Sequence, residues 1–102
     1  MMALRSCLLA LALPAAAAAM EPPAWADSCV LCHTLSEPLA GPPFLRIAER
    51  YRGQPGALAH LKQSILEGSS GIWGTARMPA NTQLSPAQAE QAARWLLSLP
   101  TP

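Results

Sequence analysis

The chain has 102 residues, with seven Lys or Arg and six Asp or Glu, so its formal net charge is +1. A chain of this length is expected to form one domain. Its basic residues are too few and too scattered for a nucleic-acid surface or a polybasic membrane anchor. The composition therefore indicates one small domain. It argues against nucleic acid as a partner and against strong electrostatic steering of any partner toward the protein.

Residues 1–19 have the organisation of a secretory signal peptide. A positive start, Met1–Arg5, is followed by the apolar run Cys7–Leu13 and the small-residue region Ala15–Ala19. The apolar run is too short to span a bilayer. We therefore predict cleavage after residue 19, a mature domain of residues 20–102 in the periplasm, and no stable membrane insertion.

The mature chain contains two cysteines, both in the segment Cys29-Val30-Leu31-Cys32-His33. Two cysteines separated by two residues and followed by a histidine are typical of c-type haem attachment. Thiols at positions i and i+3 share one face of a helical turn, where both can add to the vinyl groups of one porphyrin. The histidine then lies over the iron as a neutral imidazole ligand.

Three other interpretations of this segment compete with haem. A structural zinc site needs a second pair of ligands, and the mature chain offers only His60. A thioredoxin-like dithiol is expected near a βαβ pattern, which the sequence lacks. A disulfide would close a very short loop, whereas a buried haem adds apolar bulk to a domain too small for a large core. The residues favour haem, and an absorption spectrum separates the four interpretations.

The hydrophobic periodicity predicts an all-α fold with four short helices and no strand of useful length. The predicted helices run from Ala24 through the haem motif, from Phe44 to Arg52, from Pro55 to a stop at Gly68, and from the cap at Ser85 to a stop at Pro100. The last has the clearest local signals, with Ser85 as N-cap, Pro86 at the first turn and Gln88 completing a capping box. Apolar stripes on the last three helices comprise Phe44, Ile47, Ala48 and Tyr51; Leu58, Leu61, Ile65 and Leu66; and Ala89, Ala92, Ala93, Leu96 and Leu97.

A haem held by His33 has a sixth coordination position, for which the mature chain offers Met20, His60 and Met78. Met20 lies at the mature N-terminus, a poor place for a rigid ligand. His60 falls on a predicted helix, where a surface or half-buried histidine is the usual interpretation. Met78 lies in a long loop and is followed by Pro79, which fixes the backbone behind it. We predict Met78 as the second iron ligand.

From about Cys29 to Leu99 the chain resembles the short bacterial class I cytochromes c. The resemblance is carried by the haem motif and by four further features in order: Gly41-Pro42, Gly71-Ile72-Trp73-Gly74, Met78-Pro79 with Asn81, and a terminal helix bearing Trp95. It implies a small cytochrome c fold of about four short helices around one haem, attached through Cys29 and Cys32. The iron would be ligated by His33 and Met78.

The resemblance also implies roles for three residues beyond the ligands. The carbonyl of Pro42 would accept a hydrogen bond from the other ring nitrogen of His33 and so orient the ring. Trp73 would pack on the haem and donate its indole N–H to a propionate, and Asn81 would donate near the Met78 sulfur. A turn proline, a core tryptophan and a turn asparagine are the simpler interpretations of these residues.

The chain departs from the family pattern in several places. Thr75-Ala76-Arg77 precedes Met78 where relatives often carry prolines, so a positive charge lies close to the haem edge. A basic side chain that helps neutralise a propionate in some relatives falls at Ser64 here. The loop after Met78 is one residue longer, and the first helix is shortened by Pro22-Pro23, with Trp25 partly filling the place of its usual apolar residue.

The sequence predicts an electron carrier and not an enzyme. A soluble periplasmic monomer would shuttle single electrons between a respiratory donor and a terminal reductase or oxidase. It would meet its redox protein partners through the exposed haem edge. Two alternatives remain: a haem subunit of a larger oxidoreductase, and a ligand-binding or sensor haem protein in which Met78 leaves the iron.

Overall fold

The structure is a computed structural model, and it describes residues 20–100. The predicted signal peptide lies outside these residues. The elements in chain order are two 3₁₀ turns, Ala24–Ala26 and Cys29–Leu31, helix α1 (Phe44–Tyr51), helix α2 (Ala57–Glu67), strands β1 (Ser69–Ser70) and β2 (Arg77–Met78), and helix α3 (Pro86–Ser98). Within this range, no helix is both long and apolar enough to cross a membrane.

The predicted first helix is wrong in form. Two separate 3₁₀ turns stand in its place, because a stretch this short behind Pro22-Pro23 cannot offset the cost of helix nucleation. The motif nevertheless closes into a turn. The backbone N–H groups of Cys32 and His33 donate to the carbonyl of Cys29, at 3.2 and 2.9 Å. The two thiols and the imidazole therefore start from one local scaffold.

Helices α1 and α3 follow their sequence signals closely. All four residues of the predicted α1 stripe are buried, from Phe44 to Tyr51. The α3 capping box is present: the Ser85 hydroxyl accepts from the Gln88 N–H at 3.1 Å, and the Gln88 side chain accepts from the Ser85 N–H at 3.0 Å. Helix α3 ends at Ser98, before Pro100.

Helix α2 begins at Ala57, two residues later than predicted, because Gly56 adopts a left-handed conformation with φ of 77°. Pro55 therefore belongs to the turn before the helix. The helix ends before Gly68 as predicted, and it buries Leu61 and Ile65.

One short ladder accompanies the helices of the predicted all-α fold. Ser69 pairs with Met78 and Ser70 with Arg77 in a two-residue antiparallel ladder, β1 with β2. Such a short pair carries no periodicity that a sequence could show, because its partners are distant in the chain. The ladder ties the segment containing Met78 to the end of α2.

The apolar side chains form two clusters with a cavity between them. The first cluster joins α1 to the C-terminal half of α3 and includes Phe44, Ile47 and Leu96. The second is smaller and joins α2 to the N-terminal half of α3 through Ile65 and Ala92. All five of these side chains line the cavity, so a group bound there would complete both clusters.

Candidate haem site

All seven predicted site residues line this one cavity: Cys29, Cys32, His33, Pro42, Trp73, Met78 and Asn81. They come from the second 3₁₀ turn and the residues that follow it, the loop before α1, the loop between β1 and β2, β2 itself and the loop after it. Cys29 packs against the first apolar cluster, and Met78 packs against the second. The fold therefore places the attachment motif and the predicted sixth ligand on two different walls of the same cavity.

The His33 ring is buried, with 8% of the residue exposed, and one of its nitrogens is already occupied. Its Nδ1 lies 2.7 Å from the carbonyl oxygen of Pro42. Because a carbonyl oxygen only accepts, Nδ1 must carry the proton and donate it. The lone pair of a neutral imidazole then lies on Nε2, where a metal ligand needs it.

Gly41 and Phe44 confine the His33 ring further. The Phe44 ring stacks on it, with centroids 5.4 Å apart and planes 30° apart. A Cβ at Gly41 would lie 2.5 Å from His33 Cε1 and 2.8 Å from Nδ1, closer than packed atoms approach. The sequence assigned Phe44 to the core and gave Gly41 no role of its own, because both contacts depend on the tertiary fold.

Cys29 and Cys32 are both free and half-buried. Burial raises the pKa of the Cys29 thiol, and Cys32 acts in the same direction, while hydrogen bonds that involve Ser28 and the Cys29 backbone oppose them. The environment thus disfavours a buried thiolate. A thioether carries no charge, so it suits this apolar setting.

Gly68 stands in close contact with the backbone of Met78. Its φ is 86°, and a Cβ there would lie 2.7 Å from the Met78 carbonyl oxygen and 3.0 Å from the Ala80 nitrogen. The sequence identified Gly68 as a helix stop. The structure gives it a second role, because only a residue without a side chain lets the segment around Met78 pack this tightly against the end of α2.

Asn81 is held by hydrogen bonds that connect distant parts of the site. Its side-chain oxygen accepts from the N–H groups of Gln83 and Leu84, at 2.9 and 3.0 Å, and forms the turn before α3. Its Nδ2 donates to the hydroxyl of Ser28 at 3.0 Å. The hydrogen bond to the Met78 sulfur remains a prediction.

The lining of the cavity includes two polar residues, Ser64 and His60. Ser64 lines the cavity, and the resemblance predicts this as the position of a basic side chain in some relatives. His60, considered and rejected as an iron ligand, also lines it and lies 3.2 Å through Nε2 from the Tyr51 hydroxyl. His60 is therefore engaged with Tyr51 at the cavity wall.

The part of the chain that the structure describes does not provide the ligands of a zinc site. Across residues 20–100, no three His, Cys, Asp or Glu side chains are grouped so that they could hold a metal ion. The arrangement that exists is a neutral imidazole, a thioether and two thiols around an apolar cavity. Such a donor set, inside such a cavity, fits a covalently attached haem.

Comparison with known proteins gives the same class. The family model described as Cytochrome c matches residues 23–100, and the chain belongs to this family. The resemblance predicted from the sequence is confirmed, and so is the small cytochrome c fold, here with three α-helices. The cofactor of the family is haem c with its iron, attached in this chain through the motif of Cys29 and Cys32.

Individual relatives are small cytochromes c. The chain is 40% identical over 74 residues to cytochrome c-551 of Pseudomonas denitrificans, covering 72% of this chain and 89% of that protein. It is 37% identical over 73 residues to cytochrome c-552 of Nitrosomonas europaea, covering 72% of this chain and 71% of that protein. The crystal structure of the wild-type Nitrosomonas europaea cytochrome c552 superposes with a TM-score of 0.70 at 36% identity, over 74% of this chain and 93% of that one.

Proposed function

We propose that this protein is a periplasmic electron carrier that moves single electrons between a respiratory donor and a terminal reductase or oxidase. The observation that carries the proposal is the meeting of His33 and Met78 at one apolar cavity beside the two cysteines. Kinship with small cytochromes c-551 and c-552 supports it. The signal-like N-terminus supports export.

The protein would work by holding two ligands rigidly and keeping water away. The haem supplies the one-electron couple of its iron. The Pro42 carbonyl fixes the plane of the His33 imidazole and raises its basicity as a ligand. Met78 would supply the thioether on the other side, and a thioether ligand and burial both favour the reduced form. With both positions filled, no site is left for a substrate, which supports a carrier over an enzyme.

Partners would dock on the exposed surface next to the attachment motif. Val30 and Leu31, between the two cysteines, are 46% and 75% exposed, and Leu39 in the following loop is 58% exposed. A small apolar surface on a chain of nearly zero net charge suits brief encounters between redox proteins. We propose that electrons enter and leave at this edge while the protein remains a monomer.

The deciding experiment is a redox titration of the purified holoprotein with Met78→Ala beside it. We expect the wild type to titrate reversibly with one electron and to show the near-infrared sulfur-to-iron absorption of its ferric form. Met78→Ala should lose this band, whereas the control Met20→Ala should keep it. Retention of the band in Met78→Ala would show that Met78 is not the ligand.

Two further measurements address the alternatives. Strong binding of carbon monoxide by the unmodified ferrous protein would contradict a closed site and favour the sensor interpretation. Co-elution with a larger oxidoreductase during purification and gel filtration would favour a haem subunit. Elution as a free monomer is the result expected for a carrier.

A further inference from the structure

Arg50, near the C-terminal end of α1, lies over two aromatic rings. Its guanidinium carbon lies 4.8 Å from the centroid of the Trp73 ring and 5.9 Å from that of Tyr51. Its Nη1 donates to the carbonyl oxygen of Ile72 at 3.1 Å. Among residues 20–100 the one ion pair joins Arg46 to Glu49, so Arg50 meets no carboxylate there.

These contacts connect the loop between β1 and β2 to helix α1. Ile72 and Trp73 lie between β1 and β2, and both line the haem cavity. A guanidinium that both stacks on an indole and donates to the adjacent carbonyl fixes position and orientation, which a lysine ammonium does less well. Arg50 therefore holds the indole of Trp73 against the cavity from outside, without lining the cavity itself.

We propose that Arg50 is a positioning residue for Trp73 and the cation that sets the electrostatic potential at this edge of the haem. It would compensate for the absence of a basic side chain at Ser64. The inference rests on the proposed electron-transfer function, because the haem must cycle between two charge states for the cation to matter. No local sequence pattern indicates this contact, since Arg50 and Trp73 are far apart in the chain.

The direction of the effect follows from charge. Reduction adds one negative charge to the haem, so a fixed cation nearby stabilises the ferrous form. Arg50 is exposed, and solvent and salt weaken its field. We expect removal of its charge to lower the ferrous-to-ferric ratio at a fixed ambient potential by about threefold at low salt.

The test compares Arg50→Gln with Arg52→Gln in the holoprotein. Arg52 is also exposed, so its loss removes the same charge two residues away without touching Trp73. Two quantities are measured: the ferrous-to-ferric ratio by spectroscopic titration, and the indole N–H resonance of Trp73 in the ferrous protein, assigned with Trp73→Phe. Arg50→Gln should change both, and Arg52→Gln should change the ratio less and leave the resonance in place.

Arg50→Lys separates positioning from charge. For Arg50→Lys we expect a ferrous-to-ferric ratio close to that of the wild type together with a shifted Trp73 resonance, because the charge stays and the planar donor is lost. Equal ratios and unmoved resonances in Arg50→Gln and Arg52→Gln would overturn the inference. Failure of the wild type to titrate reversibly would instead overturn the proposed function, and the Trp73 resonance would still report on positioning.

Discussion

A glycine lies against each of the two predicted iron ligands. Gly41 faces the His33 ring and Gly68 faces the Met78 backbone, and a Cβ at either position would come within 3.0 Å of these neighbours. The positions of both ligands thus depend on the absence of a side chain at Gly41 and at Gly68. Side-chain identity at the ligands was readable from the sequence, but this close packing was not.

Gly41→Ala is expected to displace the His33 ring. The new methyl group overlaps Cε1 and Nδ1, so the ring must tilt away from the Pro42 carbonyl, at a cost of about 1–3 kcal/mol in unfolding free energy. We expect a higher midpoint potential and altered ferric electron paramagnetic resonance, because an imidazole without this hydrogen bond is a weaker donor and stabilises the ferric iron less.

Gly53→Ala is the matched control for this substitution. Gly53 has a φ of 75° with open space around it, so alanine strains the backbone without touching a ligand. It should lower stability and leave the resonance spectrum unchanged. Identical spectra for Gly41→Ala and the wild type would contradict the packing argument.

Arg77→Glu is expected to lower the midpoint potential. Arg77 is exposed, lines the cavity and directly precedes Met78. Reversing its charge disfavours the added electron, and it should also change the salt dependence of reduction by a partner. The control is Arg94→Glu, an exposed position on α3 outside the cavity lining. If the two variants agree in both measurements, Arg77 is a solvated loop charge only.

At the scale of elements, a helix or strand was predictable when the interactions that form it join residues close together in the sequence. Helices α1 and α3 were predicted well because their stripes and caps are local. The start of α2 depended on the left-handed turn at Gly56, and the β1–β2 ladder depended on pairing across a loop. The first helix failed because it was too short for propensity to decide.

The capping box of α3 makes a quantitative prediction. Ser85→Ala removes the hydroxyl that accepts from the Gln88 N–H and leaves that donor without its partner. We expect a loss of about 1 kcal/mol in the free energy of unfolding, measured with urea on the holoprotein. Ser36→Ala, in an exposed bend, should cost little. Equal midpoints for the two variants would mean that tertiary packing alone sets this helix start.

At the scale of the molecule, the haem cavity lies between two apolar clusters and is lined by side chains of both. Cys29→Ala with Cys32→Ala should prevent covalent attachment and leave both clusters incomplete. We expect this double variant to lose much of its helical circular dichroism, because a chain this small builds only a marginal core by itself. Cys32→Ala, with one thiol left, should be intermediate. A double variant as helical and as urea-resistant as the holoprotein would contradict this view.

The gathering of the site was predictable only in part. The haem motif, the choice among candidate sixth ligands and the resemblance to a family identified seven of the residues that line the cavity. None of them could name Phe44 on the His33 ring or Arg50 over Trp73, because these contacts join elements that no local pattern relates. The residues that attach or ligate the haem were therefore predictable from the sequence, whereas several of those that hold them in place follow only from the fold.

The hydrogen bond from Asn81 to Ser28 has a consequence for how the protein matures. It connects the residue before Cys29 to the loop after Met78, 53 positions apart in the chain, and both of its residues line the cavity. Because a contact between such distant segments needs the packed cavity, we expect attachment at the cysteines to come first and this hydrogen bond to form late.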